Sequence, residues 1–195
     1  MSKRRITRDD IMSLEDYEIV RAERRKAVTA MKRDRRVSVG PDATFYFENY
    51  QTMWHQIHEM LRIEKGGEAQ IDDEIAAYDP LVPDGSELVA TMMIEIDDPV
   101  RRARVLGELG GIEDTISLTV GGESVAAVPE SDVERTTEAG KTSSIHFLRF
   151  PFTRQQIEAF RRDGARVVLG IAYPHYDHMA ALPEPVRAAL AADFD

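Results

Sequence analysis

The chain has 195 residues, a formal net charge of -10, and 43% apolar against 31% charged residues. That suits one domain with a real core and argues against wholesale disorder. The absence of cysteine excludes disulfides, thiolate metal sites, cysteine-ligated iron–sulfur clusters and a cysteine nucleophile, and no apolar run approaches the roughly 20 residues of a membrane helix.

The first ten residues are charged and lack the apolar stretch of a secretion signal, so the cytoplasm is the expected compartment. Charge is unevenly spread. Residues 1–36 carry 12 Lys/Arg against 7 Asp/Glu, and the rest of the chain is strongly acidic. The basic start can serve a partner interface, or it can hold the first helix onto its own acidic body. The overall negative field opposes nucleic acid, and no membrane partner is expected.

In chain order, Leu14 to Arg33 reads as a helix capped by Ser13, with Tyr17, Val20, Ala27 and Met31 as its apolar stripe and Arg24 interrupting it. Arg36 to Gly40 and Ala43 to Phe47 read as a hairpin about Gly40-Pro41-Asp42. Asn49 to Lys65 reads as a second helix. Its buried side is expected to hold Met53, Trp54, Ile57, Met60, Leu61 and Ile63, and its polar side His55, His58, Glu59 and Arg62. Glu64 falls inside the apolar stripe. That requires an arginine partner (Arg24, Arg35 or Arg36), a raised pKa, or an exposed helix end. A third helix runs from about Ala69 to Tyr78, and a seam lies at residues 79–86.

Strand texture follows: Leu88 to Ile96, Thr115 to Val120, Ser124 to Val128, Ser144 to Phe150 and Arg166 to Ala172. Helices are expected from Pro99 to Leu109, after Thr153, and from Glu184 to Ala192; Glu130 to Lys141 is expected to be a mobile loop. The order lacks a repeating strand-helix-strand series. It predicts an α+β fold with a mostly antiparallel sheet, helices on one side and a helical N-terminal part. The whole chain reads as a single domain, with a possible division into residues 1–79 and 86–195.

Two clusters can carry chemistry. His55 and Glu59 share a helical face, and His58 lies one turn from His55. The set reads either as a polar face or as ligands for zinc or iron, although it is not a His-Glu-x-x-His motif. His175 and His178 flank Tyr176-Asp177 after a strand end. They read either as a packed polar turn or as further metal ligands. Glu48 precedes the second helix and can act as its cap or as a ligand. Phosphate loops, dinucleotide fingerprints and nucleophile elbows are absent.

Several separated blocks resemble a family of bacterial proteins described only as a domain of unknown function. They are Arg8-Asp9-Asp10-Ile11, Leu14-Glu15-Asp16-Tyr17, Lys32 to Val37 with Gly40-Pro41, Phe47-Glu48-Asn49, Gln56, Glu59 to Arg62 with Glu64, Ser143 to Phe150, and Pro174 with Tyr176. Members of the family are often encoded beside rubrerythrin-like proteins and iron–sulfur oxidoreductases. The resemblance therefore implies an accessory role near redox or oxidative-stress metabolism, with such a protein as partner. It carries over Glu48, Asn49, Gln56, Glu59 and Glu64, with Arg149, Pro174 and Tyr176 behind them. The family pattern has an aromatic residue in place of His55 and an amide in place of His58, so this sequence departs from it there and a metal site on those two is disfavoured.

Three functions follow as expectations. The first is a non-catalytic accessory protein. The second is a zinc- or iron-dependent protein using His55, His58, Glu59, His175 and His178. The third is a metal-free enzyme or sensor using Glu48, Glu59 or Glu64 in a pocket with Asn49, Gln56, Arg149 or Tyr176. A homodimer is expected only because two-fold assemblies are common.

Overall fold

The computed structural model describes residues 3–130, 136 and 140–195. Most of the expected mobile loop, residues 131–135 and 137–139, lies outside the described residues. The N-terminal half runs α1 (Leu14–Arg33), β1 (Arg36–Val39), β2 (Ala43–Phe47), α2 (Tyr50–Glu64) and α3 (Glu68–Tyr78). Next come β3 (Glu87–Ile94), α4 (Pro99–Glu108), β4 (Ile116–Val120), β5 (Glu123–Ala126) and β6 (Val128–Pro129). The chain continues through β7 (Ile145–Pro151), α5 (Arg154–Arg161), β8 (Val167–Tyr173), β9 (Tyr176–Ala181) and α6 (Glu184–Ala191).

The strands form two antiparallel sheets rather than one, in the orders β1-β2-β3-β7-β6 and β5-β4-β8-β9. The α+β class holds. The hairpin β1–β2 belongs to the first sheet because β2 pairs with β3 across the 79–86 seam, with Phe45 opposite Met92 and Phe47 opposite Ala90. The chain changes sheets between β5 and β6. The inner faces of both sheets share one apolar cluster, with Phe45, Phe47, Leu88, Met92, Leu148 and Phe150 from one and Leu118, Val120, Leu169 and Ile171 from the other. Phe152, Phe160 and Phe194 close one end of it, edge to face at 5.0 to 5.7 Å between ring centres.

A second cluster covers the outer face of the five-stranded sheet. Met53, Trp54, Ile57 and Leu61 of α2 pack with Ile6, Tyr17, Leu81, Val82 and Val89 of β3. Asn49 caps α2 by accepting from the Thr52 amide at 3.0 Å, and Ser13 caps α1 by accepting from the Asp16 amide at 3.1 Å. Two expected stripes shift. On α1, Val28 is buried and Ala27 is exposed. On α2, Ile63 is 65% exposed, because it lies in the last turn beyond the sheet. Among the described residues no helix is long and apolar enough to cross a membrane.

The basic N-terminal segment is held by the chain's own acids. Arg8 pairs with Glu68 and Asp72, Arg5 with Asp79, and Arg4 with Asp195, while in the opposite sense Arg62 of α2 pairs with Glu18 of α1. Water and salt screen exposed pairs of this kind, so they orient more than they stabilise.

The stretch after β8 is not a polar turn throughout. Only Pro174 and His175 turn, and Tyr176–Ala181 forms β9, with His178 opposite Ile171. Its accessibility does not alternate cleanly, so its residues carry little period-two signal. β9 also anchors the β1–β2 turn. The Tyr176 hydroxyl accepts from the Asp42 and Ala43 amides at 2.8 Å each and donates to the Val39 carbonyl at 2.9 Å. Gly40 has φ of 67°, and a Cβ there would lie 2.6 Å from His178 Cδ2. A side chain is thus excluded both by conformation and by contact.

Replacing Tyr176 with Phe should leave three buried backbone groups without their partner. The expected loss is about 2–4 kcal/mol, read as a lower urea midpoint with an unchanged m-value; an unchanged midpoint would show that the turn holds itself.

Candidate functional site

The alternation that buries Phe45 and Phe47 sends Tyr46 and then Glu48 to the outer face of the sheet. There the register sets Tyr46 beside Thr91 and Thr91 beside Phe147. Helix α2 covers only part of this face. Next to it lies a cavity of about 270 Å³, lined by Tyr46, Glu48, Thr91, Met93, Ile145 and Phe147 of the sheet, Met53 and Gln56 of α2, Tyr78 and Leu81 beyond it, and Lys32 of α1.

Glu48 is buried, with 5% of its surface exposed. Its Oε1 accepts from the Thr91 hydroxyl at 2.8 Å, and its Oε2 is buried with no protein partner. The backbone around it is fixed. Its amide donates to the Val89 carbonyl at 2.8 Å, and Arg35 donates to the Phe47 and Glu48 carbonyls at 2.9 and 3.0 Å. A buried carboxylate oxygen left unpaired costs about 1–3 kcal/mol or more. Among the described residues, the side chains of Lys32, Gln56 and Tyr78 likewise have no hydrogen-bond or ion-pair partner at the cavity. The cap role foreseen for Glu48 belongs to Asn49, whose Nδ2 faces Met31 Sδ at 3.4 Å on the other side of α2.

The polar side of α2 faces α1, not solvent. His58 is fully buried rather than on an open face. It accepts from the Met12 amide at Nε2, 3.0 Å, so Nδ1 carries the proton and donates to the Trp54 carbonyl at 2.7 Å. Burial lowers its pKa first, against the Trp54 bond. Both ring nitrogens are therefore used. Tyr17 donates its hydroxyl proton to Glu59 Oε1 at 2.8 Å and contacts His55 Nδ1 at 2.9 Å. Arg21 grips both Glu59 oxygens at 2.8 Å. This chain of side chains joins α1 to α2 and occupies Glu59 entirely. Burial also lowers the His55 pKa, opposed by Glu59.

The other expected site residues fall elsewhere. Glu64 is exposed at the end of α2 and accepts from Gln70 Nε2 at 2.8 Å. Among the described residues no arginine pairs with it. Arg24 lies over the Trp54 ring at 5.2 Å, Arg36 over Tyr46 at 5.5 Å, and Arg35 pairs with Asp193. Arg149 pairs with Glu87 and donates to the Pro80 carbonyl. His175 is exposed on the β8–β9 turn, and His178 is exposed on β9 beside the Tyr176 ring. Among the described residues no three His, Cys, Asp or Glu side chains converge as metal ligands.

Of the expected residues, the structure brings Glu48 and Gln56 together in one cavity. Thr91 and Tyr78 join them without any sequence signal of their own, and Lys32 was marked only as the start of a family-like block; only the β2–β3 register identifies Thr91. A larger cleft of about 640 Å³ lies at the start of α2, lined by Lys3, Arg4, Arg24, Arg35, Asn49 and Asp193 among others. Most of its cations are already paired: Lys3 with Asp10, Arg4 with Asp195, and Arg35 with Asp193. The Glu48 cavity is the candidate because Lys32, Gln56 and Tyr78 have no side-chain partner among the described residues and Glu48 has one oxygen without any, while Tyr46 donates to Glu95 and Thr91 to Glu48.

A family model described as "Protein of unknown function (DUF3501)" matches residues 5–194. A crystal structure of a protein of unknown function from Burkholderia pseudomallei K96243 is similar at 42% identity, covering 97% of this chain and 99% of that one, with a TM-score of 0.89. No curated protein matches.

The Glu59 pairing should leave a mark on acid stability. Arg21 is the main cause that holds this carboxyl at about 2, against an ordinary 4.5, with Tyr17 assisting and burial opposing. The folded form therefore gains from the ionised group above about pH 4.5 and loses that gain as pH falls towards 2. Glu59→Gln should cost about 1–2 kcal/mol near neutral pH after solvent screening and flatten the stability profile over that acid range. Urea titrations across pH test this, and a variant profile parallel to the parent would assign the acid limb to other carboxyls.

Proposed function

The chain belongs to the DUF3501 family of proteins of unknown function, and on that footing we propose that it binds a small organic molecule in the Glu48 cavity, as a binding or sensing module. The observation that supports this reading is Glu48 on the lining of a largely apolar cavity, its buried Oε2 without a hydrogen-bond partner among the described residues. A polar group held so is satisfied when a ligand supplies the missing donor. The cavity is just below the roughly 300 Å³ at which drug-sized sites begin, so the ligand is smaller than that class. Two tyrosines, Phe147 and two methionines give it an adaptable apolar wall.

Such a module fits the accessory role that the family resemblance implies. The link to redox metabolism, and to a rubrerythrin-like or iron–sulfur partner, rests on that resemblance alone. The metal reading finds less support, because His58 and Glu59 have their ligating atoms committed to protein partners.

Methyl-labelled methionine gives a direct test. Isobutyramide and isoamyl alcohol, titrated as neutral probes, should produce saturable shifts at the Met53 and Met93 methyls and leave most of the 8 methionines unmoved. Met93→Trp should fill the cavity and abolish the shifts in a folded protein. Unmoved Met53 and Met93 signals, or shifts that survive the filling substitution, would count against the cavity as a binding site.

A further inference from the structure

We infer that the ligand of the Glu48 cavity is a small zwitterion: an α-amino acid with an apolar side chain, its ammonium on Glu48 Oε2 and its carboxylate on Lys32. This rests on the binding reading above and names the class of molecule.

The cavity presents one group of each charge. Glu48 is the buried acid of its lining, with one oxygen taken by Thr91 and the other without a partner among the described residues. Lys32 stands in the last turn of α1, half-buried, and lines the same cavity without an ion pair of its own. Among the described residues the two do not pair with each other: Lys32 forms no salt bridge there, and Glu48 Oε2 has no hydrogen-bond partner. A cation beside Oε2 satisfies Glu48, since a buried carboxylate demands a charged or donating partner. A simple amine would meet that demand but would also face the Lys32 ammonium with no compensating charge. A simple carboxylate would suit Lys32 and be repelled by Glu48. Only a molecule carrying both charges pairs each group with its opposite, which is specificity by repulsion as well as by attraction.

The remaining lining fits the rest of such a molecule. Met53, Leu81, Met93, Ile145 and Phe147 offer apolar surface for a side chain, and the Gln56 amide can donate or accept beside the charged end. The volume of about 270 Å³ corresponds to roughly nine liquid waters, the size class of leucine or methionine.

Calorimetry with L-leucine and its two truncated analogues separates the contributions. Isoamylamine lacks the carboxylate, and 4-methylpentanoate lacks the ammonium. L-leucine should bind at least about tenfold tighter than either. Glu48→Gln should weaken L-leucine by about tenfold or more while leaving 4-methylpentanoate unchanged or improved. Lys32→Met should weaken L-leucine and improve isoamylamine. Either analogue binding as tightly as L-leucine, or L-leucine binding untouched by Glu48→Gln, would overturn the assignment. If the neutral probes move the Met53 and Met93 methyls but L-leucine and L-methionine do not bind, the zwitterion fails and the binding site stands. If nothing moves those methyls, both fall.

Discussion

Along β2 the side chains alternate between two very different neighbourhoods. Ala43, Phe45 and Phe47 enter the core between the sheets, while Tyr46 and Glu48 face the helical layer. This period of two cannot be relaxed one residue at a time. A register shift would expose two phenylalanines and bury a carboxylate among them. Glu48 is therefore placed beneath α2 by the demands of its apolar neighbours. Arg35 then locks that placement by holding the carbonyls of Phe47 and Glu48 together. The candidate site follows from one helix covering less of the sheet than the sheet exposes.

The helical layer is joined by polar contacts as much as by apolar ones. Tyr17 is wholly buried and touches the rings of Trp54 and His58 while its hydroxyl reaches Glu59. His58 secures the Met12 backbone, and the Trp54 indole N–H donates to the Asp10 carbonyl at 2.8 Å. These bonds tie the segment ahead of α1 to α2 in a fixed register. Apolar packing brings the elements together; the directional bonds select one alignment among several that would bury similar area.

The helices and most strands were legible because each has a local cause. Ser13, Asp98 and Thr153 cap as their positions imply, each accepting from the amide three residues on, and Asn49 does so in place of Glu48 one residue before it. What was not legible depends on partners distant in sequence. His58 falls on the polar side of α2 by periodicity, yet α1 packs there and the residue is buried. Glu64 falls on the apolar side, yet the sheet ends before it. β9 lacks alternation, and β6 is only Val128–Pro129, too short for any periodic signal. Of the candidate site, Glu48 was visible at the strand-to-helix junction, and Gln56 through the family resemblance alone. Their companions Thr91 and Tyr78 emerge only once β2 and β3 are in register and α3 is folded back over them.

The arginine that fixes Glu48 draws on the far end of the chain. Arg35 is 4% exposed, and its ion-pair partner Asp193 stands 158 positions later. A guanidinium held without its counter-charge in such a place is costly. The α1–β2 region therefore cannot complete its charge balance from its own neighbourhood. Its tightening waits on a carboxylate supplied from far along the chain, so the strand end that carries Glu48 is anchored to a segment with which it shares no local sequence.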